Sequence, residues 1–363
     1  MLSALFIFLA LGLVIFIHEG GHFIICRLTG IRVLTFAFGF GPEIVGFTRG
    51  TTRYSICAIP LGGYVKPAGE DPEEATAAGD EFFAKSWRAR IAVALGGPAM
   101  NYVLAFVLFW GLLWLSGIPE LTSSATIGTV VEGSPAHLAM LKPADTVETL
   151  RLAHEDAAAE VKSWDQLAGF IHAHPAEKIV LGVRRDGQSL AIEVTPKTDA
   201  AGKVGLIGIM PTVIYKSAGF FTAARLSAAQ IWHWNKSTVT YLWDKISKGK
   251  KVDLAGPVGI VTMMNKAVKT GISDFLSLVA MISIAIGFFN LFPIPLLDGG
   301  HVVLYLWEGI SRRRLTRNFL ARANSIGLVI LVPIFLFAFY SDFERIWAKK
   351  VKKTTEFEQF IKQ

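Results

Sequence analysis

The sequence predicts a multi-span α-helical membrane protein with about four transmembrane helices, a membrane-associated β-hairpin loop and one small β-rich domain. Three observations carry this expectation. Hydrophobic residues make up 52% of the 363 residues and charged residues 18%, where a soluble domain carries roughly 25% charged residues. The apolar residues are gathered into blocks of about the 20 residues that a helix needs to cross a bilayer. Basic residues flank those blocks and form no stripe interleaved with aromatics, so the net charge of +7 points to membrane topology and away from nucleic acid.

The first block runs from about Leu2 to Ile25. It lacks a basic leader and a small-residue cleavage site and continues into a charged motif, so it reads as a retained span. Further blocks run from about Pro98 to Ile118, Ile272 to Leu297 and Ile326 to Tyr340. Arg27, Arg32, Arg49, Arg53, Lys66, Lys85, Arg88 and Arg90 follow the first span, and Arg312, Arg313, Arg314, Arg317 and Arg322 follow the third. Both loops are therefore expected on the cytoplasmic side of the membrane, with the N-terminus, the long segment between the second and third spans and the tail outside. Lys349, Lys350, Lys352 and Lys353 in the tail pull the other way, but late charges need not reverse an established topology. Cys26 and Cys57 fall on the cytoplasmic side and read as reduced. Cys26 lies one helical turn after His22 and is a further candidate metal ligand.

The expected division is 1–121 and 272–345 as the two membrane parts, 122–198 as the β-rich domain, 199–271 as a linker with an interfacial helix, and 346–363 as a basic tail. Within the β-rich domain Ile127–Val131, Ile179–Arg184 and Leu190–Val194 read as strands, the last two joined by a turn at Asp186–Gly187. Ser163 caps a short helix to His172. Residues 218–249 have the spacing of an amphipathic helix, with Trp232, Trp234, Tyr241 and Trp243 suited to a membrane interface or to packing on the spans. In the first cytoplasmic loop, Arg53–Ile59 and Leu61-Gly-Gly-Tyr-Val65 read as a hairpin, either an ordinary one or one whose open edge pairs with an extended peptide.

The chemical signal is His18-Glu19-Gly20-Gly21-His22. Histidines four apart lie on one face of a helix and can hold one Zn²⁺, while the intervening glutamate can take a proton from water that the metal activates. Ionisable groups inside an apolar span cost on the order of 2.5–3.5 kcal/mol and are functional by default. Two adjacent glycines, each about 1 kcal/mol worse than alanine in a helix, indicate close approach of another backbone, the metal or a substrate. A zinc hydrolase needs a third protein ligand, and Asp298 ends the third span in Asn290-Leu-Phe-Pro-Ile-Pro-Leu-Leu-Asp298-Gly-Gly. Its depth matches that of the histidines, because the first and third spans both run from outside to inside. Pro293 and Pro295 break that span, and irregular backbone at membrane depth is tolerated where it lines a water-filled cavity. Asn290 can offer its amide to a peptide carbonyl or oxyanion. His301 reads as a solvated histidine or as an outer partner of the site.

Together these motifs resemble the site-2 protease family, and within it the RseP-type zinc metalloproteases of regulated intramembrane proteolysis. The likeness spans nearly the whole chain. Besides His18–His22 and Asn290–Gly299 it includes Gly39-Phe-Gly-Pro42, Gly62-Gly-Tyr-Val-Lys66 and Gly97-Pro-Ala-Met-Asn101, which matches the motif opening the family's second span. The resemblance implies that His18, His22 and Asp298 bind zinc, that Glu19 is the general base, that Asn290 helps hold substrate, and that Gly62, Gly63 and Tyr64 lie in the loop presenting it. It also implies single-span membrane proteins as substrates, among them anti-sigma factors and signal-peptide remnants. The run Ile127–Ala136 and Leu141–Asp145 resembles a PDZ domain, with Met140 and Ala144 where glycines of positive φ are usual. A catalytically silent PDZ-containing membrane scaffold is the alternative; it would be expected to lose Glu19 or a ligand.

Overall fold

The computed structural model describes residues 2–361 apart from 71–75, 77, 123, 200–201, 251 and 253–255. Its helices, in chain order, are α1 (Leu2–Leu28), α2 (Trp87–Ser116), α3 (Pro135–Leu138), α4 (Trp164–Ala173), α5 (Phe220–Ser247), α6 (Pro257–Thr270), α7 (Ile272–Asn290), α8 (Asp298–Ser311) and α9 (Arg317–Ile361). Among the described residues, four stretches are long and apolar enough to cross a membrane: Leu5–Leu28, Trp87–Ser116, Ile272–Asn290 and Asn318–Arg345. The third expected block continued to Leu297, but its helix ends at Asn290. Pro293 and Pro295 supply no amide donor there, and the chain runs irregularly, with Leu296 at φ +78°, until α8 begins.

The chain forms two compact units, one of 1–113 with 219–363 and one of 114–218. The boundary expected at 198 thus falls at Ala218, because short strands after it pair back into the β-rich unit.

In the first unit, helices pack through small residues. An added Cβ on Gly21 of α1 would lie 2.0 Å from the Gly96 carbonyl oxygen of α2, so only glycine permits this backbone contact. Ile7, Ala10 and Val14 of α1 pack with Met264 of α6 and with Phe275 and Val279 of α7. Ala105 and Phe109 of α2 pack with Ala280 and Ile284 of α7, and Ile231 and Trp234 of α5 cover them. Trp232 and Trp243, on the remaining surface of α5, are exposed. The helix predicted over 218–249 therefore serves both packing and surface.

Strands β1 (Val33–Arg49) and β2 (Thr52–Pro67) fill the loop between α1 and α2. The hairpin predicted from 53–59 and 61–65 is redrawn: those residues form one strand, and its partner is 33–49, across a turn at Gly50 and Thr51. Glycines and a proline at 39–42 hide β1 in the sequence. In the structure Gly39 and Gly41 take φ of +87° and +86°, which bends β1 so that Phe36 faces Val65 on one side and Tyr54 on the other. Phe40, Ile44, Val45, Phe47, Ile56 and Ile59 leave this sheet exposed.

The second unit contains β3 (Ile118–Leu121), β4 (Ile127–Val130), β5 (Thr146–Leu152), β6 (Ala159–Glu160), β7 (Ile179–Arg185), β8 (Gln188–Val194), β9 (Lys197–Thr198), β10 (Gly205–Leu206), β11 (Ile209–Pro211) and β12 (Val213–Lys216). A four-stranded sheet has the order β6-β5-β7-β8, and β11 pairs with β4 and β12 with β3. Ile127, Leu167, Ile179 and Leu181 are fully buried in its core. The predicted cap on α4 is present: Ser163 Oγ accepts from the Gln166 amide at 3.3 Å.

Met140 and Ala144 adopt φ of +60° and +71°, the conformation glycine would favour, despite their Cβ atoms. The turn is held by Asp145, which is buried and accepts from Arg185 Nε at 2.7 Å, Arg185 Nη2 at 2.6 Å and the Lys142 amide at 2.8 Å. Arg185 also donates to the Met140 carbonyl at 2.9 Å. Burial alone would raise the Asp145 carboxyl, but these hydrogen bonds and the Arg185 charge hold it below its usual value. The support it gives is therefore complete above the ordinary carboxyl range and is lost as pH falls through the lowered value. The left-handed conformation costs a non-glycine residue roughly 1–2 kcal/mol, and glycine returns about half of that as extra unfolded-state entropy. Ala144→Gly, whose side chain is exposed, is expected to stabilise this unit by about 0.5–1 kcal/mol, read as a raised thermal midpoint.

Candidate metal centre

His18 and His22 sit one turn apart near the end of α1, both buried. The loop broken by Pro293 and Pro295 brings Asp298, the first residue of α8, against them. His18 Nε2 lies 3.1 Å from Asp298 Oδ2, His22 Nε2 3.5 Å from Asp298 Oδ1, and the two Nε2 atoms 3.3 Å apart. Ligands at 2.0–2.1 Å in a tetrahedron stand about 3.3 Å from one another, so the two imidazole nitrogens and the Asp298 carboxylate, one oxygen towards each histidine, stand at separations that suit zinc. They form the one group of His, Cys, Asp or Glu side chains with metal-binding spacing among the described residues. Cys26 is not part of it and packs instead with Ile31, Val33 and Phe82.

Two further features fit a metal. Asp298 Oδ2 is buried with no hydrogen-bond partner, a costly state for a carboxylate unless a cation meets it. A Cβ on Gly97 of α2 would stand 2.3 Å from His22 Nε2 and 2.7 Å from His18 Nε2. The space in front of both imidazoles is open because this residue has no side chain. His22 Nδ1 lies 2.7 Å from the Val93 carbonyl. A carbonyl only accepts, so His22 carries its proton on Nδ1 and turns the Nε2 lone pair inward.

The centre opens on a cavity of about 500 Å³ lined by Glu19, Asn290, Glu70 and His301 as well as His18, His22 and Asp298. Glu19 and Asn290 therefore reach the same space from different helices. Of the hairpin, Val65 and Pro67 line the cavity. Gly62, Gly63 and Tyr64 sit just before them on β2; an added Cβ on Gly63 would meet the Ala37 carbonyl at 2.6 Å, and Tyr64 stacks on Phe40. His301 is not a solvated histidine: it lines the cavity, its Nδ1 is buried without a partner, and burial lowers its pKa against the pull of Asp298.

Glu70, which no sequence motif marked, also opens onto the cavity. Enclosure by protein and then the neighbouring Glu19 charge push it up to about 7, opposed by Lys66. Gly20, unlike Gly21, faces open space.

The model of Peptidase family M50 matches residues 6–334. Zinc metalloprotease RasP of Bacillus licheniformis is 27% identical, with 93% of this chain and 98% of the relative covered. A relative from Mesorhizobium japonicum, 33% identical over 92% of this chain and 96% of its own length, and one from Clostridium acetobutylicum, 30% identical over 92% and 95%, also bear zinc-metalloprotease names. Among solved structures, the PDZ domain of the SdrC-like protein of Listeria monocytogenes aligns with 26% of this chain and 94% of that one at 16% identity and a TM-score of 0.21.

Gly97→Ala would crowd a methyl group against the Nε2 atoms of both imidazoles, the atoms that would hold the metal. Bound zinc is expected to fall from about one per chain, the stoichiometry of a single three-ligand site, to on the order of a tenth of that, measured by elemental analysis of detergent-purified protein.

Proposed function

Because the chain belongs to peptidase family M50 and is a multi-pass zinc metalloprotease of the site-2 protease kind, we propose that it is an intramembrane endopeptidase cutting the transmembrane segments of single-span membrane proteins. Anti-sigma-factor-like proteins and signal-peptide remnants are the expected substrates, cut in regulated intramembrane proteolysis. The observation that carries this reading is the meeting of His18 and His22, inside one apolar span, with Asp298 just beyond another, at a polar cavity.

His18, His22 and Asp298 would hold zinc. When bound, it supplies Lewis acidity that makes water acidic enough to attack at neutral pH and polarises the scissile carbonyl. Glu19, in the same cavity, takes the proton from the attacking water and returns it to the departing amine. Asn290 donates its amide to the carbonyl oxygen as charge gathers there. A substrate helix must unwind before its backbone can reach these groups. The curled sheet, with Val65 and Pro67 at the cavity wall, supports pairing of the unwound segment beside β2, where Gly62, Gly63 and Tyr64 lie. The exposed apolar side chains of that sheet suit a surface resting on the bilayer.

The bacterial relatives support a bacterial plasma membrane location, and the charge pattern supports an orientation with the metal centre towards the cytoplasm and the β-rich unit outside. That unit is proposed as a PDZ-like domain. The scaffold alternative is disfavoured, since Glu19 and all three ligands are kept and share one cavity.

Glu19→Gln keeps the shape and removes the base. Cleavage of a reconstituted single-span substrate is expected to fall by about 10²–10⁴-fold with zinc content unchanged; undiminished cleavage would sink the mechanism.

A further inference from the structure

Gly97-Pro-Ala-Met-Asn101 contributes no metal ligand, yet its last side chain is among the most deeply buried polar groups in the protein. Asn101 is fully buried on α2. Its side-chain amide lies 3.1 Å from His18 Nδ1, across 83 residues of sequence. Its backbone carbonyl accepts from Ser283 Oγ of α7 at 2.9 Å. One residue of the second span thus touches a ligand on the first span and is fastened to the third.

The two ends of an asparagine amide have opposite consequences for His18. With the nitrogen turned to the imidazole, Nδ1 has to accept, so the proton sits on Nε2 and that atom has no lone pair for a metal. With the oxygen turned to the imidazole, Nδ1–H donates and Nε2 is bare. Oxygen and nitrogen of such an amide exchange by a half-turn. The other end of the Asn101 amide has no hydrogen-bond partner, its Oδ1 being buried and unpaired, so no bond there is broken by the exchange. His22, whose Nδ1 faces the Val93 carbonyl at 2.7 Å, already shows the arrangement that leaves Nε2 free.

We infer that Asn101 is a positioning residue of the metal centre: its side-chain oxygen accepts the His18 Nδ1 proton, fixing the imidazole tautomer and plane that present Nε2 to zinc. This rests on the zinc reading of the site. α2 then orients both histidines, His22 through a backbone carbonyl that substitution cannot remove and His18 through a side chain that substitution can. The role requires an acceptor of this length at 101, and apolar side chains cannot meet it.

The test compares zinc affinity, by competition with a chromophoric chelator, for wild type, Asn101→Asp, Asn101→Leu and Asn101→Ala in detergent. Loss of a partner of this kind weakens metal binding by about 10–100-fold. That loss is expected for leucine and for alanine, while aspartate, which still accepts from Nδ1–H, stays within a few-fold of wild type. Alanine keeps the comparison usable where leucine prevents folding. A merely structural role would make the apolar variants less stable without separating aspartate from them in zinc affinity. Apolar variants that bind zinc as tightly as wild type, or an aspartate variant that loses as much as they do, overturn the inference. A wild-type protein that binds no zinc removes the metal reading itself, a different result from wild type binding zinc and every Asn101 variant matching it.

Discussion

The backbone contact between α1 and α2 governs the rest of the site. At Gly21 and Gly96 the two helices approach so closely that an added Cβ on either would meet the other's carbonyl oxygen at 2.0 and 2.7 Å. In lipid no hydrophobic force distinguishes one helix partner from another, and close packing through small residues takes its place. The contact has a chemical result. It brings the Val93 carbonyl and the Asn101 amide to the outer nitrogens of the two histidines, and it leaves the space beside Gly97 empty on their inner side. A single larger side chain at 21 or 96 would move the imidazoles away from the groups that orient them.

The third ligand depends on a different constraint. Asp298 opens α8, where the first-turn amides favour negative charge, and it can lie against α1 only because the chain is irregular from 291 to 297. Gly299 and Gly300 allow that path: an added Cβ on them would stand 2.2 Å from the Leu291 and Ile294 carbonyl oxygens. An added Cβ on Gly327 of α9 would likewise meet the Pro295 carbonyl oxygen, at 1.9 Å. The broken segment is therefore clasped between two helices.

How much was legible follows from the range over which each signal acts. The histidine pair and the glutamate are local to one helix, and spacing alone places them on one face. Asp298 was legible because a charge after a long apolar block has few uses. The four spans were legible from composition, and the end of α7 seven residues before its apolar run was legible from Pro293 and Pro295, although hydropathy alone does not register what prolines do to a helix. The double pairing of β1 was not legible: glycines at 39 and 41 look like loop punctuation, and only in three dimensions do their positive φ angles become the bend of one strand. The boundary at 218 was missed because β10 to β12 are two to four residues long and carry no periodic pattern.

Glu70 escaped detection, and His301 was left open between a solvated side chain and an outer partner of the site, for a related reason. Neither belongs to a spaced motif, and each gains its character from neighbours supplied by other elements: Glu70 from the Glu19 charge and enclosure by the cavity, His301 from burial beside Asp298. Both line the space where a substrate backbone would lie. A carboxyl pushed up to about 7 and an imidazole whose pKa burial lowers both lean towards their uncharged forms, which limits the net charge of the cavity. That matters in a low-dielectric setting, where each uncompensated charge is costly. His18, Glu19 and His22 share one span and Asp298 meets the two histidines from α8, and it is the set of groups around them, drawn from the β2 exit and α8, that a local sequence motif does not encode.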